Sequence, residues 1–230
     1  MRVVCISDTH NLHDRLVMPP GDILIHAGDA TLRGTALEAT GFLQWFAKQD
    51  YQWKFFVPGN HDFFFERLTQ DGVRILHEEY FESRDANGIA RLLLPPFSTQ
   101  WVKDYSITGF PWSLPYGPWA YMAPEEELEK KLEGVGKCDI LVSHGPPYGM
   151  QDATKRGVHA GSEALLEWVA EKTPALVVCG HIHEARGVHQ VQAPGVSVVN
   201  AACCNFPNME DLRQPIVLDL TRQTKVELIQ

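Results

Sequence analysis

No apolar run in the chain approaches the roughly 18 residues that a membrane span needs, and no charged-then-apolar leader opens it. A mature soluble protein with no membrane partner is therefore expected. Basic charge is also scarce. The 20 Lys and Arg stand against 29 Asp and Glu, for a net charge of -9, and no Lys/Arg-rich or aromatic-interleaved tract breaks the pattern. A grip on long nucleic acid is more often basic, so none is expected as a partner. A small phosphate ester stays open, because bound divalent cations reverse the local charge. Cysteine is sparse and odd in number: five residues, with no CxxC pair. Cys5, Cys138 and Cys179 lie in or beside apolar runs and read as buried reduced thiols, which places the chain in a reducing compartment, the cytoplasm. The neighbours Cys203 and Cys204 are a weak signal for a metal or redox feature. Repeats and low-complexity tracts are absent too.

What the 230 residues do contain is 44% hydrophobic side chains, enough for one larger globular domain spanning residues 1–230. Short Val/Ile/Leu-rich runs stop abruptly at Gly, Pro or Asp: Val3–Ile6, Asp22–Ile25, Lys54–Val57, Ile140–Val142, Leu176–Cys179, Val196–Val199 and Pro215–Leu218. Each reads as a buried strand. Between them, Ala39, Phe42, Leu43 and Phe46 follow one helix face, and Pro124 with Glu125, Glu126 and Glu127 opens a second helix. Leu165, Trp168 and Val169 mark a third, capped by Ser162 and followed by Pro174. Strands alternating with helices give an α/β fold. The closing stretches "PIVLDLT" and "KVELIQ" read as an antiparallel hairpin, so the sheet is expected to be mixed. Residues 109–121, "GFPWSLPYGPWAY", pack three prolines, two tryptophans and two tyrosines into thirteen positions. They read as an ordered loop, either overhanging a cleft or packed on itself.

Chemistry-bearing residues gather where the strands end. Asp8-Thr9-His10, Gly28-Asp29, Gly59-Asn60-His61-Asp62, His144-Gly145 and Gly180-His181-Ile182-His183 each follow a separate strand. A lone histidine after a strand is more often structural, and a lone "GD" or "GNH" is usually a turn. Five such coincidences at equivalent positions are a different matter, because sites in open α/β sheets form at the carboxyl ends of strands. Residues i and i+2 of an extended chain point to one side, so Asp8 with His10, and His181 with His183, can each present two ligands to one place. Imidazole, carboxylate and amide oxygen suit Mn, Fe, Zn or Mg. Seven such groups are too many for one tetrahedral ion. They suit two ions about 3.5–4 Å apart that share a carboxylate, an arrangement used for in-line displacement at phosphorus.

The ordered set "DTH", "GD", "GNHD", "SHG" and "GHIH" resembles the calcineurin-like metallophosphoesterases over nearly the whole chain. The phrases "CISDTHN", "GDILIHAGD", "DILVSHGPP", "CGHIHE" and "VVNAA" look closest to the metallophosphoesterase-domain-containing subgroup, related to the class III cyclic nucleotide phosphodiesterases. The resemblance implies two packed mixed β-sheets flanked by helices, a four-layer sandwich with the site at the strand ends. It implies that Asp8, His10 and His183 hold a first metal, that Asn60, His144 and His181 hold a second, and that Asp29 bridges both. It further implies in-line attack by a metal-activated water, with His61 beside the leaving oxygen and Asp62 orienting His61. Two divalent ions are expected, with Mn favoured.

The leading expectation is a phosphodiesterase acting on a small ester such as a cyclic nucleotide, the aromatic loop offering a stacking surface for a base. The alternatives are a phosphomonoesterase for a nucleotide, sugar phosphate or phosphoprotein, and a non-catalytic interaction module of the same fold. An exposed apolar loop would favour a homodimer. Other polar residues read as support: His26 as a core or supporting histidine, His13 and Asn11 as loop polarity or substrate contacts, and His159, Lys155 and Arg156 as a solvated loop. His77 and His189 read as surface residues, and Asn200 as an orienter of a ligand histidine.

Overall fold

The computed structural model describes residues 1–70, 82–85, 88–91, 97–191, 195–205, 208, 211–221 and 225–229. Two mixed sheets dominate it. The first has strand order β13-β12-β1-β2-β3, with β1 (Arg2–Ile6), β2 (Ile23–His26), β3 (Trp53–Phe56), β12 (Ile216–Thr221) and β13 (Lys225–Ile229). Strands β1, β2 and β3 run parallel, and β12 and β13 close the sheet as the expected antiparallel hairpin. The turn of that hairpin, 222–224, lies outside the described residues, as does His77.

The second sheet has the order β10-β11-β9-β8-β7-β6, with β6 (Thr99–Val102), β7 (Tyr105–Phe110), β8 (Ile140–Ser143), β9 (Leu176–Cys179), β10 (Gly187–Val191) and β11 (Val196–Asn200). Its four inner strands are parallel, and its two edges pair antiparallel. A separate hairpin pairs β4 (Glu82–Asp85) with β5 (Gly88–Arg91). The helices are α1 (Ala36–Ala47), α2 (Phe63–Gln70), α3 (Glu125–Glu133) and α4 (Glu163–Lys172).

Strand alternation builds three apolar layers from these elements. Val3 and Cys5 of β1, with Ile23 and Ile25 of β2, face Ile140, Val142, Leu176 and Val178 of the second sheet. Their neighbours Val4, Ile6, Leu24 and Phe56 face outward and meet Ala39, Phe42, Leu43 and Phe46 of α1. On the far side, Leu141, Val177, Cys179 and Val198 meet Leu128 and Leu132 of α3 and Leu165, Trp168 and Val169 of α4. The result is the four-layer α/β/β/α sandwich, with the strands β1, β2, β8, β9 and β11 buried on both faces.

Local chemistry sets the helix starts. Thr35 accepts from the Glu38 backbone N–H while Glu38 reaches back to Thr35, a reciprocal cap at the head of α1. Ser162 accepts from the Leu165 N–H as expected. Pro124 is the N-cap of α3, one position earlier than the first helical turn.

The two sheets meet at their carboxyl ends. Ser7 bridges Ala202, the Cys203 and Cys204 N–H groups donate to the Ser7 and Asp8 carbonyls, and the His181 N–H donates to the Asp8 carboxylate. Within the second sheet, the Gly180 N–H donates to the His144 carbonyl. Strand ends that carry candidate residues are thereby tied to one another within and between the sheets.

Candidate metal centre

The chain turns sharply as it leaves the strands. Asp8, His10, Asn11, Asp29 and His181 all have φ between +42° and +67°. Such a conformation is uncommon outside glycine, and clusters of it mark places where the fold forces a backbone to aim a side chain. Two glycines make the close approach between sheets possible. A Cβ on Gly28 (φ +102°) would lie 2.4 Å from His144 Nδ1, and one on Gly180 would lie 2.1 Å from Asp8 Oδ2.

The turns bring two groups of donors together. In the outer group, His183 Nε2 lies 3.3 Å from Asp8 Oδ1 and 3.3 Å from His10 Nε2. His10 Nδ1 lies 3.3 Å from the Thr31 carbonyl; donating its hydrogen there leaves the Nε2 lone pair facing inward. In the inner group, His144 Nε2 and His181 Nδ1 lie 2.9 and 2.8 Å from Asn60 Oδ1. His144 Nδ1 is held 2.9 Å from the Ala27 carbonyl, so its Nε2 also presents a lone pair. Asp29 sits between the groups, with Oδ1 3.4 Å from His144 Nε2 and Oδ2 3.9 Å from His10 Nε2.

All seven donors are buried or nearly so; the His183 side chain keeps 12% of its surface accessible. Asp8 with His10 and His183, His10 with Asp29 and His61, and Asp8 with Asp29 and His144 each bring ligand atoms within 4.8 Å of one another.

This arrangement fits divalent cations on chemical grounds. Lone pairs of nitrogen and oxygen face one another at hydrogen-bond distance, with too few hydrogens between them. A divalent cation among such donors would satisfy several of them at once. Without a cation, protons must serve instead. Burial drives His144 down, but Asp29 outweighs it and pushes the imidazole up to about 9. Burial likewise opposes charge on His183, while Asp8 raises it. Burial raises Asp8 and Asp29, yet the neighbouring histidines (His183 and His144 first) bring both carboxylates well below the usual range. His10 and His181 stay neutral, pushed down to about 4 and about 3, chiefly by burial.

His61 stands at the rim of this cluster. Its ring lies 4.7 Å from that of His10, its backbone N–H donates to Asp29 Oδ1 at 2.8 Å, and its Nδ1 lies 2.8 Å from the Leu32 carbonyl. That carbonyl, and not Asp62, fixes the ring. The buried Asp62 carboxylate instead accepts the N–H groups of Gly59 (2.8 Å), Thr31 (3.0 Å) and Ala30 (3.3 Å), together with the Thr31 hydroxyl (2.7 Å). Asp62 thus knots the Asp29 turn to the Asn60 turn, through main-chain N–H groups and the Thr31 hydroxyl. Burial and the nearby Asp29 raise Asp62 to about 6.

Supporting residues fall into place. Thr9 points away from the donors, its hydroxyl 3.0 Å from His26 Nε2. His26 is a core residue, boxed by the rings of Phe42, Phe46 and Phe56. His13 packs on Phe42 and Trp45, and Asn11 donates to Glu38. His189 is half-buried on β10. Asn200 donates its amide hydrogens to the Gly180 and Ile182 carbonyls at 3.2 and 2.9 Å, clamping the main chain on either side of His181. His159 is held 2.7 Å from the buried Asp152 carboxylate in the loop after His144. All five cysteines are buried free thiols, and burial pushes Cys203 and Cys204 up to about 11 and about 12.

The aromatic loop overhangs the cluster. Trp119 lies against His61, with centroids 4.3 Å apart and planes 32° apart. The Tyr116 ring sits 5.4 Å from His181, and its hydroxyl accepts from Asn60 Nδ2 at 3.0 Å. Sequence reasoning assigns neither contact; only the density of aromatics between prolines points to the loop.

Residues 1–185 match the family profile described as calcineurin-like phosphoesterase. The human "Metallophosphoesterase domain-containing protein 1" is 36% identical over 95% of this chain and 71% of its own length. A UPF0046 protein of Caenorhabditis elegans is 31% identical over 96% of this chain and 81% of its own. Among solved structures, TT1561 of Thermus thermophilus superposes with a TM-score of 0.63 at 17% identity, covering 99% of this chain and 97% of that one. GAP50, described as the anchor in the inner membrane complex of Plasmodium, superposes at 0.51 and 13% identity, covering 95% of this chain and 80% of that one. With a profile match across most of its length and a donor cluster at its strand ends, the chain belongs to the calcineurin-like phosphoesterase family.

Proposed function

We propose that residues 1–230 form a single metallophosphoesterase domain that hydrolyses a small phosphodiester, with a cyclic nucleotide as the favoured substrate class. The observation that carries the reading is the convergence of Asp8, His10, Asp29, Asn60, His144, His181 and His183 beneath an aromatic loop, with His61 at the rim. Asp8, His10 and His183 would hold one divalent ion, Asn60, His144 and His181 a second, and Asp29 would serve both. When bound, such ions supply a water of lowered pKa and neutralise charge on the phosphoryl oxygens. Mn is the favoured metal for this mixed oxygen and imidazole set, with Fe, Zn and Mg as the other candidates.

The protein's own residues supply the rest. His61 gives its Nδ1 hydrogen to Leu32, so Nε2 is the atom left to hold or pass a proton to the leaving oxygen. Trp119 covers one face of that ring and keeps its direction. Tyr116, 61% exposed, offers an aromatic surface beside the cluster on which a base can stack. That surface favours a nucleotide diester over a compact monoester. The same fold occurs in a protein described as an anchor, so fold alone does not decide in favour of catalysis. The complete donor set is what supports the catalytic reading. Among the described residues no helix is long and apolar enough to cross a membrane. The five buried free thiols suit a reducing compartment, and the cytoplasm is the proposed setting.

Parallel assays on bis-p-nitrophenyl phosphate, p-nitrophenyl phosphate, and 2′,3′- and 3′,5′-cyclic nucleotides with added Mn test the reading. Faster turnover of the diesters is expected. A strong preference for the monoester would replace the proposed reaction with a phosphomonoesterase, and inertness of a metal-loaded protein on every ester would point to an interaction module.

A further inference from the structure

We propose that Tyr116 is a positioning residue for Asn60, holding its amide so that Oδ1 faces His144 and His181. The inference rests on the reading of Asn60 as a metal ligand and adds a residue that neither the motif pattern nor the family profile assigns.

An asparagine amide can flip about its Cβ–Cγ bond, and its two outer atoms are close in size but opposite in function: one accepts and one donates. A cation can use only the oxygen. Asn60 therefore needs something on its outer side that accepts from Nδ2. The Tyr116 hydroxyl is placed there, 3.0 Å from Nδ2, while Oδ1 lies 2.9 Å from His144 Nε2 and 2.8 Å from His181 Nδ1. Donation from Nδ2 also draws electron density toward Oδ1 and makes it the better ligand, as outer partners do for ligating groups generally.

Two further observations show that the hydroxyl does not arrive there by chance. Tyr116 is 61% exposed, so burial of the ring does not explain its direction. The loop that carries it is fastened to Asn60 a second time, through the Ala120 N–H and the Asn60 carbonyl at 3.0 Å. The base of the loop is pinned as well: the Tyr121 N–H donates to Glu66, and Ser113 and Tyr121 pair main chain to main chain. The loop thus reaches Asn60 by backbone and side chain together, and it is built to hold the phenol oxygen in one place.

Tyr116→Phe removes the hydroxyl and keeps the ring. Mn²⁺ titrated by calorimetry into metal-free protein should bind about 10-fold more weakly at one of two sites, with the other unchanged and the melting temperature unaltered. Raising Mn²⁺ should restore most of the turnover of this variant, because the defect lies in holding the metal. Tyr116→Ala should weaken binding by a similar factor. Wild-type Mn²⁺ affinity in Tyr116→Phe overturns the proposal, and so does a loss seen only in Tyr116→Ala, which would assign the effect to ring packing. Asn60→Ala separates the two levels of inference. If it abolishes one Mn²⁺ site while Tyr116→Phe changes nothing, only the Tyr116 proposal fails. If it leaves both sites intact, the ligand reading of Asn60 fails and the positioning role with it.

Discussion

Two histidines at the carboxyl ends of strands, one from each sheet, live in opposite worlds. His144, after β8, faces into the donor cluster, and His26, at the end of β2, faces back into a box of Phe42, Phe46 and Phe56. Both are fully buried. Burial pushes His26 down to about 3, whereas His144, next to Asp29, is driven up to about 9. Burial alone therefore does not determine whether a histidine carries a proton; the group it faces does. The left-handed turn after β1 also sorts chemistry from support: Asp8 and His10 go forward, and Thr9 between them goes back to His26. The front is a set of ligand atoms that face one another, and the back is a framework that keeps them aimed.

The division can be broken from the front first. Asp29→Ala removes the carboxylate between both donor groups and should empty both metal sites, measured as metal content after desalting; two retained ions per chain would rule out its shared role. His61→Ala should lower kcat by about 10²–10⁴-fold while metal content stays near the wild-type value. Loss of metal in that variant would move His61 from the chemistry into the ligand set.

The back should give the complementary result. Phe42→Ala leaves a cavity between α1 and the first sheet and should cost about 3–5 kcal/mol in urea unfolding, with two-metal stoichiometry kept in the folded fraction. His26 tests the same framework on the acid side. It is neutral when folded, at about 3, against 6.5 when free, so as pH falls from about 6.5 the unfolded chain takes up the proton first. Its contribution to stability is complete above that pH and is lost at about 1.4 kcal/mol per unit toward pH 3. His26→Gln should flatten that limb; an unchanged slope would mean that the framework histidine does not titrate as its surroundings dictate.

The front is far more legible in the sequence than the back. Each donor sits within a few residues of a strand end, and a short apolar run followed by Asp or His is a local pattern. The motif resemblance groups Asn60, His144 and His181, and the structure brings both imidazoles within hydrogen-bond reach of Asn60 Oδ1. Relations made by distant segments leave no such trace. Tyr116 meets Asn60 across 56 positions, and Asn200 reaches Gly180 across 20. Asp62 likewise meets Ala30 and Thr31 about thirty positions away, a link that its place beside His61 does not suggest. The edge strands β6 and β10 escape sequence reading for another reason. Thr99 and Trp101 are exposed on one side of β6, Gly187–Val191 is only half-buried, and both lack the continuous apolar run of a buried strand.

The left-handed turns at Asp8, His10, Asp29 and His181 have a consequence for anyone redesigning this chain. Each carries a conformational penalty on the order of 1–2 kcal/mol that a glycine would relieve. A library screened for thermostability alone will be drawn toward those positions, and each gain there would delete a donor. Screening for folding and screening for metal retention should enrich opposite alleles at the same four codons.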